Sequence, residues 1–179
     1  MYPFIRLIKE QLKFRNAPPM GLLDTHVSHH ICWPWDIDPW MELNNGRTLT
    51  LFDLARMPFS TRTGMFRALR ANGWGMAVAG NTTRYRRRVR AFHRFSTETR
   101  LLGWDGRFLY VEQAMWRKGE ALNHILIRLA ATDANGILPP DKLIAAMGYP
   151  GRERPEMPRW VTAWIEADSQ RIWPPVRHG

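Results

Sequence analysis

The segment Asp36–Leu49, DIDPWMELNNGRTL, joins two kinds of sequence pattern and decides how the whole chain is interpreted. Before it, the stretch HVSHHICWPWDID is typical of a strand that ends at Asp36 or Asp38, because prolines punctuate its end. After it, apolar side chains recur at helical spacing, and Asn44 or Asn45 is suited to cap the start of a helix. The segment therefore predicts a strand, a turn and a helix N-terminus in direct succession.

Helical spacing continues as far as Gly73, with one interruption. Pro58 has no amide proton, so we expect it to kink or end the first helix. The following stretch, TGMFRALRANG, indicates a second helix that Gly73 is suited to terminate. Two helices are thus predicted between the opening turn and Trp74.

From Trp74 onward the period changes from helical to alternating, which predicts four strands. Asp105-Gly106 between two of them is a strong signal for a two-residue hairpin turn. A strand, helices and then an antiparallel run of strands predict an α+β domain with its helices on one face of the sheet. The four predicted strands are GMAVAGNTTRYRRRVR (75–90), FSTETRLLGW (95–104), RFLYVEQAMW (107–116) and EALNHILIRLAA (120–131).

The two ends of the chain lie outside this pattern. We expect a helical extension over residues 1–25, the central domain over 26–134 and a second helical extension over 135–179. The stretch MYPFIRLIKEQLKFR has apolar residues at three- and four-residue spacing with basic residues between them. It therefore predicts an amphipathic helix that packs on the domain or on a second copy, with peripheral membrane contact as the alternative. Its charges argue against a spanning helix or a signal peptide.

Composition limits the classes of protein and of binding partner that remain possible. A chain of 179 residues with 45% hydrophobic residues suits one domain with a real core. The net charge of +10 favours nucleic acid, phosphorylated small molecules or an anionic membrane surface as partner. The single cysteine, Cys32, is expected to be a packed residue, and the absence of cysteine pairs fits a cytoplasmic location. The histidines show no metal-ligand spacing, so no metal is predicted.

Several motifs carry a resemblance to a known family. DIDPWMELNNGRTL resembles the Asp-x-Asp-Pro and Asn-Asn signature of the 4-hydroxybenzoyl-CoA thioesterase family. FDLARM, RYRRRVRAF and TETRLLGWDGRFLYVEQAMW are similar to the thioesterase superfamily member six group. The resemblance covers roughly His30 to Asp133 and implies a hotdog fold, in which a curved antiparallel β-sheet wraps around a central α-helix. The chain departs from the pattern at Met41-Glu42, where many members have Gly-His, and at Thr48, where an aromatic residue is usual.

The resemblance implies catalytic roles for the Asp38 carboxylate and the backbone N–H of Asn45. A helix N-terminus presents unpaired N–H groups and partial positive charge where a thioester oxyanion develops. A nearby carboxylate serves as nucleophile or as general base, and the sequence leaves both routes open. Asp36 is expected to orient the loop. Asp53 is a second candidate acid, because other hotdog enzymes place theirs on this helix, with an ion pair to Arg56 as the alternative.

Four arginines follow one another at alternate positions of the first predicted strand after the helices. Alternation would place them on one face, where they suit the phosphates of coenzyme A. A solvated sheet face or a set of interface ion pairs is the alternative, and no recognised nucleic-acid motif accompanies them, so no nucleic acid is expected. The four residues are Arg84, Arg86, Arg88 and Arg90.

The sequence therefore predicts an acyl-CoA thioesterase that releases a free acid and coenzyme A. The resemblance implies a homodimer or a dimer of dimers, with the active site at the subunit interface. No cofactor is expected beyond the coenzyme A within the substrate. Two alternatives remain open at this stage. One is a non-catalytic binder of acyl-CoA or fatty acid, and the other is a basic RNA- or membrane-associated module.

Overall fold

The computed structural model describes residues 2–177, in which one antiparallel sheet curls around a long helix. The strands are β1 (His26–Ile31), β2 (Gly75–Tyr85), β3 (Arg94–Trp104), β4 (Leu109–Arg117), β5 (Glu120–Asp133) and β6 (Gly136–Leu138). The helices are α1 (Phe4–Phe14), α2 (Asn45–Arg62), α3 (Met65–Asn72), α4 (Pro140–Ala146) and α5 (Arg159–Ser169).

The strand order is β1-β3-β4-β5-β2, and β6 adds to the far end of β5. This arrangement confirms the predicted α+β hotdog fold. Strand β6 was not predicted, because three residues are too few to show an alternating pattern. It extends the sheet beyond residue 134, where the sequence placed the end of the central domain. The path leaves β1 and β2 as the two edges of the sheet, and no side chain of β2 is buried.

Helix α2 fills the concave side of the sheet. Its side chains Leu51, Phe52, Leu54 and Phe59 are at most 1% exposed. The helix runs through Pro58 without ending, so of the two outcomes predicted for Pro58, a kink or an end, the end is wrong. A proline inside a helix costs about 3 kcal/mol, whereas each buried Leu or Phe contributes about 1.5–3 kcal/mol. Burial of the whole helix therefore outweighs one lost backbone hydrogen bond. Helix α3 ends at Gly73 as expected, with a left-handed φ of 67°.

Two strands end earlier than their sequences indicate. Strand β1 stops at Ile31, because the chain enters a 3₁₀ turn over Pro34–Asp36. Strand β2 stops at Tyr85, because the next two amides, of Arg86 and Arg87, both donate to the Leu122 carbonyl at 2.9 and 3.0 Å. Regular alternation of the side chains therefore ends at Tyr85. Three of the four arginines predicted to share one face, Arg86, Arg88 and Arg90, lie beyond it.

The C-terminal helices agree with the sequence, and the β3–β4 hairpin forms where it was predicted, with its central residues one position later than Asp105-Gly106. Asp105 closes the hairpin, since its carboxylate accepts from the amides of Arg107 and Phe108 at 2.7 and 2.8 Å. Its own amide donates to the Phe108 carbonyl, which places Gly106 and Arg107 at the centre of the bend. Helices α4 and α5 occupy the segments predicted as C-terminal helices.

Helix α1 packs along α2 and confirms the predicted N-terminal helix. The Tyr2 hydroxyl donates to Asp53 Oδ2 at 2.6 Å, and Arg6 Nη1 donates to Asp36 Oδ2 at 2.7 Å. None of the helices within residues 2–177 is long and apolar enough to cross a bilayer. Peripheral membrane contact stays a prediction. The side of α1 that faces away from α2 exposes four apolar residues, Phe4, Ile5, Ile8 and Leu12.

A buried polar network joins α2 to the sheet. Arg56 is 7% exposed, and its Nη1 donates to Gln113 Oε1 at 3.0 Å. Gln113 Nε2 in turn donates to the Phe52 carbonyl at 2.8 Å and to Thr99 Oγ1 at 2.9 Å. Arg56 also pairs with Asp53. Each of these buried polar groups has another member of the network as its hydrogen-bond partner. The network therefore fixes α2 against β3 and β4.

We expect Gln113→Ala to lower the free energy of unfolding by about 2–3 kcal/mol, because it leaves the buried Arg56 guanidinium without its neutral acceptor. Urea denaturation measures the change. Arg100→Ala is the control, since it removes the half-exposed Arg100–Glu112 pair on the same two strands and should cost less than about 1 kcal/mol. A loss at Gln113 no larger than the loss at Arg100 would contradict this account.

Candidate active site

Residues 37–43 form a tight reverse turn, here called the Asp38 loop. Ile37 and Leu43 pair across its base, and the Asp38 amide donates to the Glu42 carbonyl at 2.8 Å. The Leu43 amide donates to the Val89 carbonyl at 2.7 Å, which ties the loop to the segment after β2. The loop is therefore held at both ends, and the helix α2 begins directly after it.

The Asp38 carboxylate uses its two oxygens differently. Oδ1 accepts from the amides of Trp40 and Glu42 at 2.9 and 3.4 Å, which closes the turn. Oδ2 has no hydrogen-bond partner among residues 2–177. One oxygen thus has the structural role expected of an aspartate before a proline, and the other is available to a ligand or a water molecule.

The start of α2 presents an unpaired backbone N–H. Asn44 is the N-cap, and its Oδ1 accepts from the amides of Gly46 and Arg47 at 2.9 and 3.3 Å. Asn45 is the first helical residue, and its amide donates to no group in the described part of the chain. The free N–H therefore lies at the positive end of an 18-residue helix.

The departures from the family pattern at Met41-Glu42 have local explanations. Met41 has a φ of 60°, in the left-handed region that favours glycine, so the side chain costs about 1–2 kcal/mol of strain there. Glu42 Oε2 lies 3.1 Å from Arg88 Nε, so an arginine neutralises the added carboxylate. At the tip of the loop, Trp40 and Met41 are 76% and 66% exposed.

The arginine-rich segment after β2 lies against the Asp38 loop and the start of α2. A cavity of about 200 Å³ is lined by Asn45 together with Arg86 and Arg88, and a second cavity of about 260 Å³ by Trp40 with Arg88 and Arg90. Arg84 stands on β2 and lines neither cavity. Three of the four predicted arginines thus meet the site, although irregular backbone and not strand alternation brings them there.

Asp53 occupies a different environment. It is eight residues beyond Asn45, which is about 12 Å along a helix axis. Its carboxylate pairs with Arg56 and accepts the Tyr2 hydroxyl at 2.6 Å. Burial and the neighbouring Asp53 carboxylate raise the pKa of Tyr2 above its usual range, so the phenol stays a donor. The structure therefore shows the ion pair that was the alternative to a catalytic Asp53.

Two further residues have structural positions. Asp36 is 1% exposed and accepts from Arg6 Nη1 and from the Trp33 amide at 2.7 and 3.0 Å, which orients the loop as expected.

Burial raises the pKa of the Cys32 thiol to about 11, so the reactive thiolate is scarce at neutral pH. Within residues 2–177, no three His, Cys, Asp or Glu side chains converge as metal ligands would.

Comparison with known proteins shows the family to which the chain belongs. The family model of the thioesterase-like superfamily matches residues 32–165. The chain belongs to the thioesterase-like superfamily. The match includes the Asp38 loop, helix α2 and the arginine-rich segment, and it confirms the resemblance seen in the sequence.

Relatives and solved structures agree with this placement. The chain is 37% identical to "Protein THEM6" of Xenopus laevis over 174 residues, which cover 94% of this chain and 83% of that protein. The fold is similar to the probable thioesterase YbaW of Escherichia coli, with a TM-score of 0.64, 17% identity and coverage of 71% of this chain and 99% of that chain. It is also similar to the DHNA-CoA thioesterase of Staphylococcus aureus, with a TM-score of 0.59, 13% identity and coverage of 81% and 91%. At these identities the solved structures show the shared fold alone.

Loss of the cap should weaken the start of α2. We expect Asn44→Ala to lower the free energy of unfolding by about 1 kcal/mol, because the amides of Gly46 and Arg47 lose their acceptor. Thermal denaturation followed by circular dichroism measures the change. Asn45→Ala keeps the backbone N–H and removes an exposed side chain, so it should change stability by less than about 0.5 kcal/mol. Equal losses in the two variants would contradict the assignment of Asn44 as the cap.

Proposed function

We propose that the protein hydrolyses an acyl-CoA thioester to a free carboxylic acid and coenzyme A. One observation carries this proposal. Among residues 2–177, neither the carboxylate oxygen Asp38 Oδ2 nor the backbone N–H of Asn45 has a hydrogen-bond partner. The two groups lie in consecutive elements, the Asp38 loop and the first turn of α2. The membership of the chain in the thioesterase-like superfamily supports the same reaction class.

The chemistry follows from these two groups. The thioester oxygen accepts the Asn45 N–H, and the helix dipole stabilises the negative charge that develops on it. Asp38 then acts by one of two routes. As general base it takes a proton from water while the resulting hydroxide adds to the carbonyl carbon, and as nucleophile it forms an acyl anhydride that water later cleaves. In both routes the coenzyme A thiolate leaves when the tetrahedral adduct collapses.

The arginine-rich segment suits the other end of the substrate. Arg86 and Arg90 are exposed and have no acidic partner within residues 2–177, whereas Arg88 pairs with Glu42. Guanidinium groups bind phosphates through paired N–H donors. We assign Arg86, Arg88 and Arg90 to the pyrophosphate and 3′-phosphate of coenzyme A, with Arg84 contributing from the end of β2.

The main test is a thiol-release assay on a series of acyl-CoA and aryl-CoA thioesters. We expect Asp38→Asn to reduce kcat at least about 100-fold, because general-base catalysis contributes on that scale. The asparagine keeps an acceptor at the Oδ1 position, so the turn is preserved. Asp53→Asn is the comparison, and its kcat should stay within a few-fold of wild type. Turnover that survives Asp38→Asn and disappears with Asp53→Asn would transfer the catalytic role to the helix.

The proposal includes a second copy of the chain. Strand β2 is an 11-residue edge whose backbone is open to pairing and whose side chains are not buried on either face. Such an edge is a template for another strand. Pairing of two β2 edges would cover the exposed Val78 of both copies.

Val78→Arg should therefore convert a dimer into a monomer, because it puts two guanidinium groups into the proposed interface. Size-exclusion chromatography with light scattering measures the mass. Val27→Arg is the control, since Val27 is a comparably exposed valine on the opposite edge strand, β1. A dimer that survives Val78→Arg, or one that Val27→Arg breaks, would place the interface elsewhere.

A second candidate function is a non-catalytic binder of acyl-CoA or fatty acid. It is favoured by the structural role of Asp38 Oδ1 and by Met41-Glu42 in place of the Gly-His of many family members. The two functions separate cleanly in experiment. Saturable acyl-CoA binding in calorimetry without thiol release on any thioester would support the binder.

A further inference from the structure

A separate cleft of about 740 Å³ lies between α1, the edge strand β1 and the ends of β3 and β4 that are nearest to it. We call it the α1 cleft. It is lined by none of the residues assigned to the thioester or to coenzyme A, since Asp38, Asn45 and the arginines from Arg84 to Arg90 all lie outside it. The proposed hydrolase site therefore does not account for this cleft.

The walls of the α1 cleft carry an excess of positive charge. Arg6 is paired with Asp36, but the other cations have no acidic partner within residues 2–177. Among the described residues, Glu10 is the one acidic side chain in the wall. Because like charges held together without counterions repel one another, the cleft favours an anionic ligand. The five unpaired cations are Lys9, Lys13, Arg94, Arg117 and Lys118.

Two buried polar atoms in the described part of the same walls have no hydrogen-bond partner. They are Oε2 of Glu10, a side chain that is 3% exposed, and the indole Nε1 of Trp116. A buried polar atom left unpaired costs about 1–3 kcal/mol, so such atoms usually mark a missing partner. Burial raises the pKa of the Glu10 carboxyl and so favours its protonated form, which can donate. Both groups therefore suit the oxygen atoms of an anion.

The α1 cleft also has apolar and aromatic surfaces. Trp33 and Trp35 stack with their ring centroids 5.3 Å apart, and Phe95 adds a third ring to the walls. Trp35 is 63% exposed, so its free face is open to a planar or apolar group. Ile5 and Ile8 are exposed on the helix that supplies Lys9 and Lys13. A bound anion would thus have apolar surface beside it.

We infer that the α1 cleft binds a phosphate ester that carries a planar or apolar group. The five unpaired cations fit the two or more charges of a phosphate better than the single charge of a carboxylate. Two sources share this chemistry, a soluble nucleotide and an anionic phospholipid headgroup. The stacked indoles suit the first, and the exposed apolar residues of α1 suit the second.

The test uses the full chain with two probes. ADP binding is measured by isothermal calorimetry, and vesicle binding is measured by flotation with phosphatidylcholine alone or mixed with phosphatidic acid. The double variant Arg94→Glu/Lys118→Glu reverses two exposed charges of the α1 cleft, and Trp116→Phe keeps an aromatic ring but removes the indole N–H. The control Arg67→Glu/Arg70→Glu reverses two exposed charges on α3, which lies outside the cleft.

The proposal predicts that one probe binds, that the double variant weakens its binding at least about tenfold and that Trp116→Phe weakens it about fivefold. The control should bind like wild type, and thiol release should be unchanged in every cleft variant. Binding of ADP identifies a nucleotide, and binding only to vesicles with phosphatidic acid identifies a headgroup. The inference is overturned if neither probe binds, or if binding survives the double variant. ADP binding that only Arg86→Glu abolishes would belong to the hydrolase site and would also overturn it.

Discussion

The buried carboxylate of Asp36 is the contact on which the arrangement of the site depends. Its Oδ2 accepts from Arg6 of α1 and from the Trp33 amide, and its backbone carbonyl accepts from the Asn44 amide at 2.9 Å. One residue therefore joins the N-terminal helix, the 3₁₀ turn after β1 and the cap of α2. A carboxylate that is 1% exposed needs such partners, because an unpaired buried charge is strongly destabilising. The Asp38 loop and the unpaired N–H of Asn45 take their positions from this contact.

The two aspartates of the opening segment thus have different tasks because their surroundings differ. Asp36 lies where two arginines and the three elements just named meet, and all of its contacts are structural. Asp38 lies two residues later in a turn that needs only one of its oxygens. This division explains how a short segment can both anchor a helix and keep a carboxylate available for chemistry. The free oxygen also belongs to the loop that directly precedes α2 in the chain.

Much of the fold could be predicted from the sequence, because local signals and tertiary packing agree in most of the chain. The Asn44 cap, the Gly73 stop and the strands β3 to β5 are examples. The failures occur where packing overrides a local rule. Pro58 stays inside α2 because the helix is buried, and β2 ends at Tyr85 because two successive amides share the Leu122 carbonyl. In the site, Met41 shows why a glycine is usual at its position, since its φ of 60° is a property of the backbone that no single sequence displays.

The boundary between the N-terminal extension and the central domain is where a single sequence is least informative. The motifs that carry the resemblance in the sequence begin near His30, so residues before it look like an appendage when the sequence is considered alone. In the structure, the N-terminal segment supplies a partner to two aspartates of the central domain, since Arg6 of α1 pairs with Asp36 and Tyr2, just before α1, donates to Asp53. The Tyr2 contact, together with Arg56, occupies the Asp53 carboxylate, which is the acid predicted on α2. Long-range pairing of this kind leaves no periodic signal in a sequence. The difference between Asp53, whose carboxylate is paired, and Asp38, whose Oδ2 has no partner among residues 2–177, is therefore visible only in the structure.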